Sequence, residues 1–283
     1  MKRTTAILPL LLLLQVVAGI GVVQAEPRIT VFAAAVTKPV MEEAAKAFEA
    51  TTGVRVDLVS GGSGTLVSQM KIAKRGDIFI AASPDYMETA VRDGVVDPGS
   101  KRILAYLIPV IIVQSGNPKG ITGLEDLTRP GISLAIGNPE TVAIGLYAYE
   151  ILEKNGLVQG VAPNVVTLAP DVTALETLVA MKKVDAIIGW DVVPRWNPGK
   201  VEAVYLKPDQ VARLAYVPAA VATHARDPEN ARRFIAFLSS GQGRELFVKR
   251  GYAASETEVR KHAPKATIGG AYALPKGYRP PVK

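Results

Sequence analysis

Four segments of the chain combine small, hydroxyl-bearing or acidic residues with the start of an amphipathic pattern. They are Ala33-Ala34-Ala35-Val36-Thr37, Gly62-Ser63-Gly64-Thr65, Thr141-Val142-Ala143-Ile144-Gly145 and Pro170-Asp171-Val172-Thr173. Each follows a short apolar run, so each reads as the turn from a strand into a helix. The first N–H groups of a helix have no partner inside it and lie at the positive end of its dipole. Such an end holds an oxyanion without a formal cation. Singly, these junctions need no ligand, because Ser, Thr, Asp and Gly favour helix starts for capping alone. Brought to one cleft, they would bind a small anion.

Other chemistries find little support. The 283 residues include no Cys, which excludes disulfides, Cys-type zinc sites and thiol catalysis. His224 and His262 are the only two His, too few for a metal cluster. Gly61-Gly62-Ser63-Gly64-Thr65 lacks the closing Gly of a nucleophile elbow. An exported serine hydrolase using Ser63 is therefore the rival reading, without a placed base. No phosphate-loop Gly-Lys-Ser/Thr is present, and Glu42-Glu43 reads as a solvated helix face. Asp77 of Arg75-Gly76-Asp77 is expected to open a strand rather than to belong to an adhesion tripeptide. No cofactor and no free metal ion is expected.

The N-terminus reads as a leader. Lys2 and Arg3 precede Ala6–Val23, whose only polar side chain is Gln15, and Val23-Gln24-Ala25 offers small residues for cleavage. A retained membrane anchor is the competing reading. The net charge is +7, falling to +5 if Lys2 and Arg3 depart with residues 1–25. Without a dense Lys/Arg run, nucleic acid is not an expected partner.

Beyond Arg28, strands at Ile29–Phe32, Val54–Val59 and Asp77–Ala82 alternate with helices through Val40–Phe48, Leu66–Ala73 and Tyr86–Asp93. After Leu104 a second series begins. It has strands at Leu107–Val113, Ile132–Ile136, Val165–Leu168 and Ala186–Ile188. A short helix at Leu124–Leu127, a helix carrying Ile144, Tyr147 and Ile151, and another at Asp171–Lys182 lie between them. Tyr216–Thr223 returns, followed by helices around Phe234–Leu238 and Leu246-Phe247. The order predicts an α/β protein with two lobes, each a mostly parallel sheet flanked by helices. The expected division is 26–105 for the first segment of lobe 1, 106–216 for lobe 2, 217–261 for the return and hinge, and 262–283 for an irregular Pro-rich tail. In open α/β sheets the ligand lies beyond the carboxyl ends of the strands.

The chain resembles the periplasmic molybdate-binding proteins of ABC importers, which form a two-lobed clamp. The resemblance rests on Ile29-Thr30-Val31-Phe32-Ala33-Ala34-Ala35, Ser63-Gly64-Thr65-Leu66, Asp77-Ile78-Phe79-Ile80-Ala81-Ala82, Gly137-Asn138-Pro139-Glu140 and Gly145-Leu146-Tyr147-Ala148. It extends to about Tyr252. It implies backbone donors at Ile144 and Val172. The family's first ligand serine falls at Val36, with Thr37 next. Its second falls at Gly64, flanked by Ser63 and Thr65, and its tyrosine donor falls at Gly189. Restoring hydroxyls with Val36→Ser and Gly64→Ser is therefore expected to tighten molybdate binding. Trp190 and Asp191 follow Gly189. Asp191 is expected to cap the following turn or brace Trp190, the alternatives being pairing with Lys38 or Arg75, or direct coordination of a metal centre, as in the tungstate binders with carboxylates that it resembles.

The resemblance thus implies a non-enzymatic, exported, monomeric solute-binding protein that closes over molybdate or tungstate and delivers it to a membrane ABC permease. Another small anion or an organic ligand is the alternative. Exported protein is expected to begin at Glu26; N-terminal sequencing that returned Met1 would instead support an anchor.

Overall fold

The computed structural model describes residues 26–280, so the expected leader lies outside the described residues. The first lobe opens with β1 (Arg28–Ala34), buried over most of its length. A turn of 3-10 helix at Ala35–Thr37 leads into α1 (Lys38–Thr52). Val40, Met41, Ala44, Ala45 and Phe48 form the buried face of α1, at the spacing that a 3.6-residue period demands. β2 (Arg55–Gly61), α2 (Ser63–Ala73), β3 (Ile78–Ile80), α3 (Pro84–Arg92) and β4 (Arg102–Leu107) follow.

The second lobe contains β5 (Pro109–Gln114), β6 (Leu134–Gly137), α4 (Ala143–Lys154), α5 (Val158–Val161), β7 (Val165–Ala169), α6 (Val172–Ala180), β8 (Ala186–Trp190) and β9 (Val201–Tyr205). The chain then returns through β10 (Arg213–Val221), α7 (Pro228–Ser239), α8 (Gly241–Lys249), α9 (Glu256–Arg260) and β11 (Thr267–Ile268).

One sheet runs β11-β10-β3-β1-β2 with β4 on β10, and the other runs β7-β6-β8-β5-β9. Pairing is parallel between β1 and both β2 and β3, and between β6 and both β7 and β8. β10 is antiparallel to β3 and β4, and β5 to β8 and β9. Each sheet thus adds antiparallel strands to a parallel βαβ core, because strands at the crossings between lobes run back against the βαβ units.

The sequence reading of Leu107–Val113 as one strand conceals the first crossing. Leu107 still pairs with Ala215 in the first sheet, whereas Val110 pairs with Gly189 in the second. Ile108 alone separates β4 from β5. Residues 106–107 and 213–216 accordingly belong to the first sheet, not to lobe 2 as expected. A continuous buried apolar run gives no sign of changing sheets, since both ends face a core. The tail also differs from expectation: it carries β11, paired with β10.

Two carboxylates, the buried Asp77 and the half-buried Asp191, tie these connections down. Asp77, just before β3, accepts from the Thr30 N–H at 2.7 Å and from the N–H groups of Arg226 and Asp227 at 2.6 and 3.1 Å. It joins β1, β3 and the start of α7. Asp191, just after β8, sits at the first crossing: its Oδ1 accepts from the Ile108 N–H at 3.0 Å, while its own N–H donates to the Ile108 carbonyl at 3.0 Å. Asp191 thus braces the crossing residue Ile108 rather than Trp190.

Burial pushes the Asp191 carboxyl up to about 7, against the opposing pull of the Ile108 N–H, neighbouring N–H groups and Arg195. Unfolded, an aspartate releases its proton near pH ~3.9. Between those values the folded chain holds a proton that the unfolded chain has lost, so this group makes stability fall as pH rises. Asp191→Asn keeps the acceptor for Ile108 and should lose that slope. Urea midpoints should move apart in the variant's favour from pH 4.5 to pH 8; a pH-independent gap would show that Asp191 does not titrate in this window.

Candidate functional site

The carboxyl ends of strands from both sheets face one small, half-open space. Its lining comes from Ala34, Ala35 and Val36 after β1, Gly61, Gly62 and Ser63 after β2, and Ala82 after β3. The other lobe contributes Val142, Ala143 and Ile144 at α4, Asp171 and Val172 at α6, and Trp190 at the end of β8. The cavity leaves about 10 Å³ for the centre of a water-sized body, close to what one such body requires.

Its polar groups are mainly backbone donors. Among the described residues, no protein acceptor meets the N–H groups of Val36, Ser63, Ile144 or Val172. These are the first-turn groups that a helix leaves unpaired. The Ser63 hydroxyl accepts from the Ala82 N–H at 3.1 Å, which leaves its own proton available for donation. Asp171 is the one carboxylate in the lining. It is the N-cap of α6, and its Oδ1 accepts from the Ala174 N–H at 2.9 Å.

Local sequence fixes each helix start. The Asn138 carbonyl accepts from the N–H groups of Thr141 and Val142, while its side chain accepts from the Glu140 N–H at 3.0 Å. A Cβ at Gly145 would run into the Gly137 carbonyl oxygen, so a glycine lets α4 start directly against β6. On the other side, the buried Tyr252 hydroxyl donates to the Val36 carbonyl and holds the first junction in place.

The two lobes touch across the cavity. The Gly64 N–H donates to the Thr141 carbonyl at 2.9 Å, and the Tyr86 hydroxyl donates to the Pro139 carbonyl at 3.2 Å. Gly62 wedges between lobe 2 carbonyls, where a Cβ would stand 2.8 Å from the Pro170 oxygen and 2.9 Å from that of Thr141.

Of the expected site residues, Val36, Ser63, Ile144, Val172 and Trp190 line the space. Thr37, Gly64, Thr65 and Asp191 do not. The Thr37 hydroxyl is spent on the Ala34 carbonyl at 2.8 Å, and the Gly64 N–H on the other lobe. Trp190 is both wall and packing: its ring meets Tyr147 edge-on at 5.2 Å. Gly189 lies within β8, where a Cβ would come 2.5 Å from Ile112 Cδ1, so a side chain there would have to displace the end of Ile112. Asp171 belongs to a junction already singled out in the sequence, whereas Ala82, at the end of the expected strand Asp77–Ala82, was missed as a site residue. Neither His supplies a base for Ser63: His262 stacks on Tyr205, and His224 lines a separate groove with Met70 and Arg75.

Residues 29–253 match the family described as bacterial extracellular solute-binding protein. The molybdate-binding protein ModA of Escherichia coli is 27% identical over 236 residues, covering 80% of this chain and 89% of that protein. Among solved structures, the sulfate-binding protein SubI of Mycobacterium tuberculosis aligns with a TM-score of 0.74 at 19% identity, covering 86% of this chain and 93% of that one. The periplasmic molybdate-binding protein of Azotobacter vinelandii gives 0.70 at 19% identity, covering 80% and 98%.

The geometry reverses the expectation for Gly64→Ser. A Cβ there would fall 2.6 Å from the Tyr86 ring and 3.0 Å from the Thr141 Cα. The added side chain should hold the lobes apart instead of offering a hydroxyl. Small-angle scattering should find this variant more extended than the wild type, with circular dichroism unchanged. An equally compact variant would mean that the Tyr86 ring gives way.

Proposed function

The chain belongs to the bacterial extracellular solute-binding protein family, and on that premise we propose that it captures a small tetrahedral oxyanion, molybdate or tungstate, between its lobes. It works outside the cytoplasm, presents the closed form to an ABC permease, and performs no chemistry on the ligand. The cavity lined by unspent helix-start N–H groups carries this reading. The relatedness to ModA supports the choice of ligand.

Capture follows from the division of donors between lobes. Val36 and Ser63 offer theirs from one side, Ile144 and Val172 from the other. An anion bound by one lobe still has oxygens facing water, and closure exchanges that water for oriented N–H groups. Only the closed form makes both sets of bonds, so the ligand shifts the population towards it. Hydrogen bonds to charged groups contribute roughly 1.5–3 kcal/mol each, enough for a few to dominate the closure equilibrium. The single lining carboxylate is engaged in capping, which limits its repulsion of the anion.

Main-chain donation at Val172 is separable from its side chain. Val172 occupies the first position of α6, and Asp171 before it is extended, with φ −163° and ψ 177°. Proline is accepted at that position and after such a residue, and it lacks the N–H. Val172→Pro should therefore leave α6 intact and weaken oxyanion binding by roughly 10–100-fold, the loss of one charged hydrogen bond. Val172→Ala should keep most of the affinity. Calorimetry of both variants against molybdate, tungstate, sulfate and phosphate tests this; equal losses would assign the site to side-chain packing, and no heat with any anion on wild type would end the oxyanion reading.

A further inference from the structure

The chain continues past the family match, and this extension alternates between the lobes. His262 stacks on Tyr205 of β9, with ring centres 4.7 Å apart. β11 then pairs with β10 in the first sheet. Gly269 and Gly270 follow with φ of +73° and +82°, and a Cβ at Gly269 would fall 2.5 Å from the Tyr216 ring. Two glycines are what this left-handed turn permits. Beyond it the Tyr272 N–H donates to Asp85 Oδ1 of α3 at 2.9 Å, and its hydroxyl to Glu153 Oε2 of α4 at 2.5 Å. The Tyr278 ring meets Tyr149 of α4 edge-on at 5.0 Å.

Beneath this segment lies an ion cluster shared by both lobes. Arg213, where the chain re-enters the first sheet, approaches Glu150 of α4 at 2.8 Å and Asp85 of α3 at 3.1 Å. All three side chains are nearly buried. The extension completes the cluster, since the Gly270 carbonyl accepts from Arg213 Nη1 at 2.9 Å. Burial works against the guanidinium charge, but Glu150 and Asp85 hold the group above its ordinary value.

We propose that residues 269–280 form a clasp that holds α4 against the first lobe and so sets how readily the cleft closes, ahead of any ligand. Resting on the reading of the cleft as one that opens and closes, this inference adds a determinant outside the binding site. The lever is α4 itself. Its first turn carries the Ala143 and Ile144 N–H groups at the cavity, and its later turns carry Tyr149, Glu150 and Glu153, which the clasp and the cluster grip. One rigid helix therefore joins the two. Opening the cleft must strip Tyr272 from Glu153 or pull the extension off β10.

The absence of native Cys makes a direct measurement available. Ile72→Cys and Met181→Cys place labels on opposite lobes at positions 84% and 63% exposed. Electron-spin distance measurements would compare the otherwise intact chain, a chain ending at Ala271, and the paired substitution Tyr272→Phe with Tyr278→Ala, which leaves β11 in place. Without ligand, the intact chain should be predominantly closed. Both altered chains should shift towards longer distances, with the closed fraction falling several-fold. Unchanged distributions in the paired variant, or an intact chain already open, would overturn the clasp. Because the comparison is made without ligand, its outcome holds whether or not added molybdate is later found to bind.

Discussion

The controlling constraint is a set of backbone N–H groups that no part of the protein satisfies. A helix always leaves its first N–H groups unpaired, and most helices in most proteins surrender them to water or to a capping side chain. Here Asp171 caps Ala174, yet Val36, Ser63, Ile144 and Val172 remain without protein acceptors among the described residues while facing one half-open space. A buried donor without a partner is costly. An acceptor placed among them would meet donors from several directions. Paired strand ends in two sheets and the crossing at Ile108 serve to aim those groups at one another.

Bringing the lobes together imposes its own demand for small residues. Gly62 and Gly64 pass within touching distance of the Pro170 and Thr141 backbone, and Gly145 lets α4 start against Gly137. At each of these places a side chain would occupy space that the opposing main chain already fills. Beside the cavity the contact is made by Gly64 to Thr141 and Tyr86 to Pro139, and farther out by Arg213 to Glu150 and Tyr272 to Glu153.

Apart from the capping Asp171, charge is kept out of the cavity lining and used at the joints. Asp77 ties the return segment to the first sheet, and Asp191 braces the crossing residue Ile108. Arg213 gathers Asp85 and Glu150 where the second crossing ends. Each charged group is matched to donors or to an opposite charge, which is the condition for burying it. The aromatic pair Trp190 and Tyr147 stands between this last cluster and the cavity, and Arg213 lies 4.5 Å from the Tyr147 ring centre.

The sequence by itself determined the two-lobed α/β class and four of the helix starts that line the cavity. It did so because alternating apolar runs and Gly/Ser/Thr/Asp junctions are local patterns with local physical causes. Val36, Ser63, Ile144 and Val172 could be named from spacing and resemblance, since each follows a strand by a few residues. Only the tertiary structure decided between neighbours that local reasoning treats alike. Ser63 faces the cavity while Gly64 turns to Thr141, because rotation about α2 separates adjacent residues by roughly 100°. The change of sheet at Ile108 was equally hidden, as both sides of the crossing are buried and apolar. The Pro- and Gly-rich tail looked irregular because its contacts to Asp85, Arg213 and Glu153 lie more than fifty residues away in sequence, and no local pattern can announce a partner that the fold alone brings near.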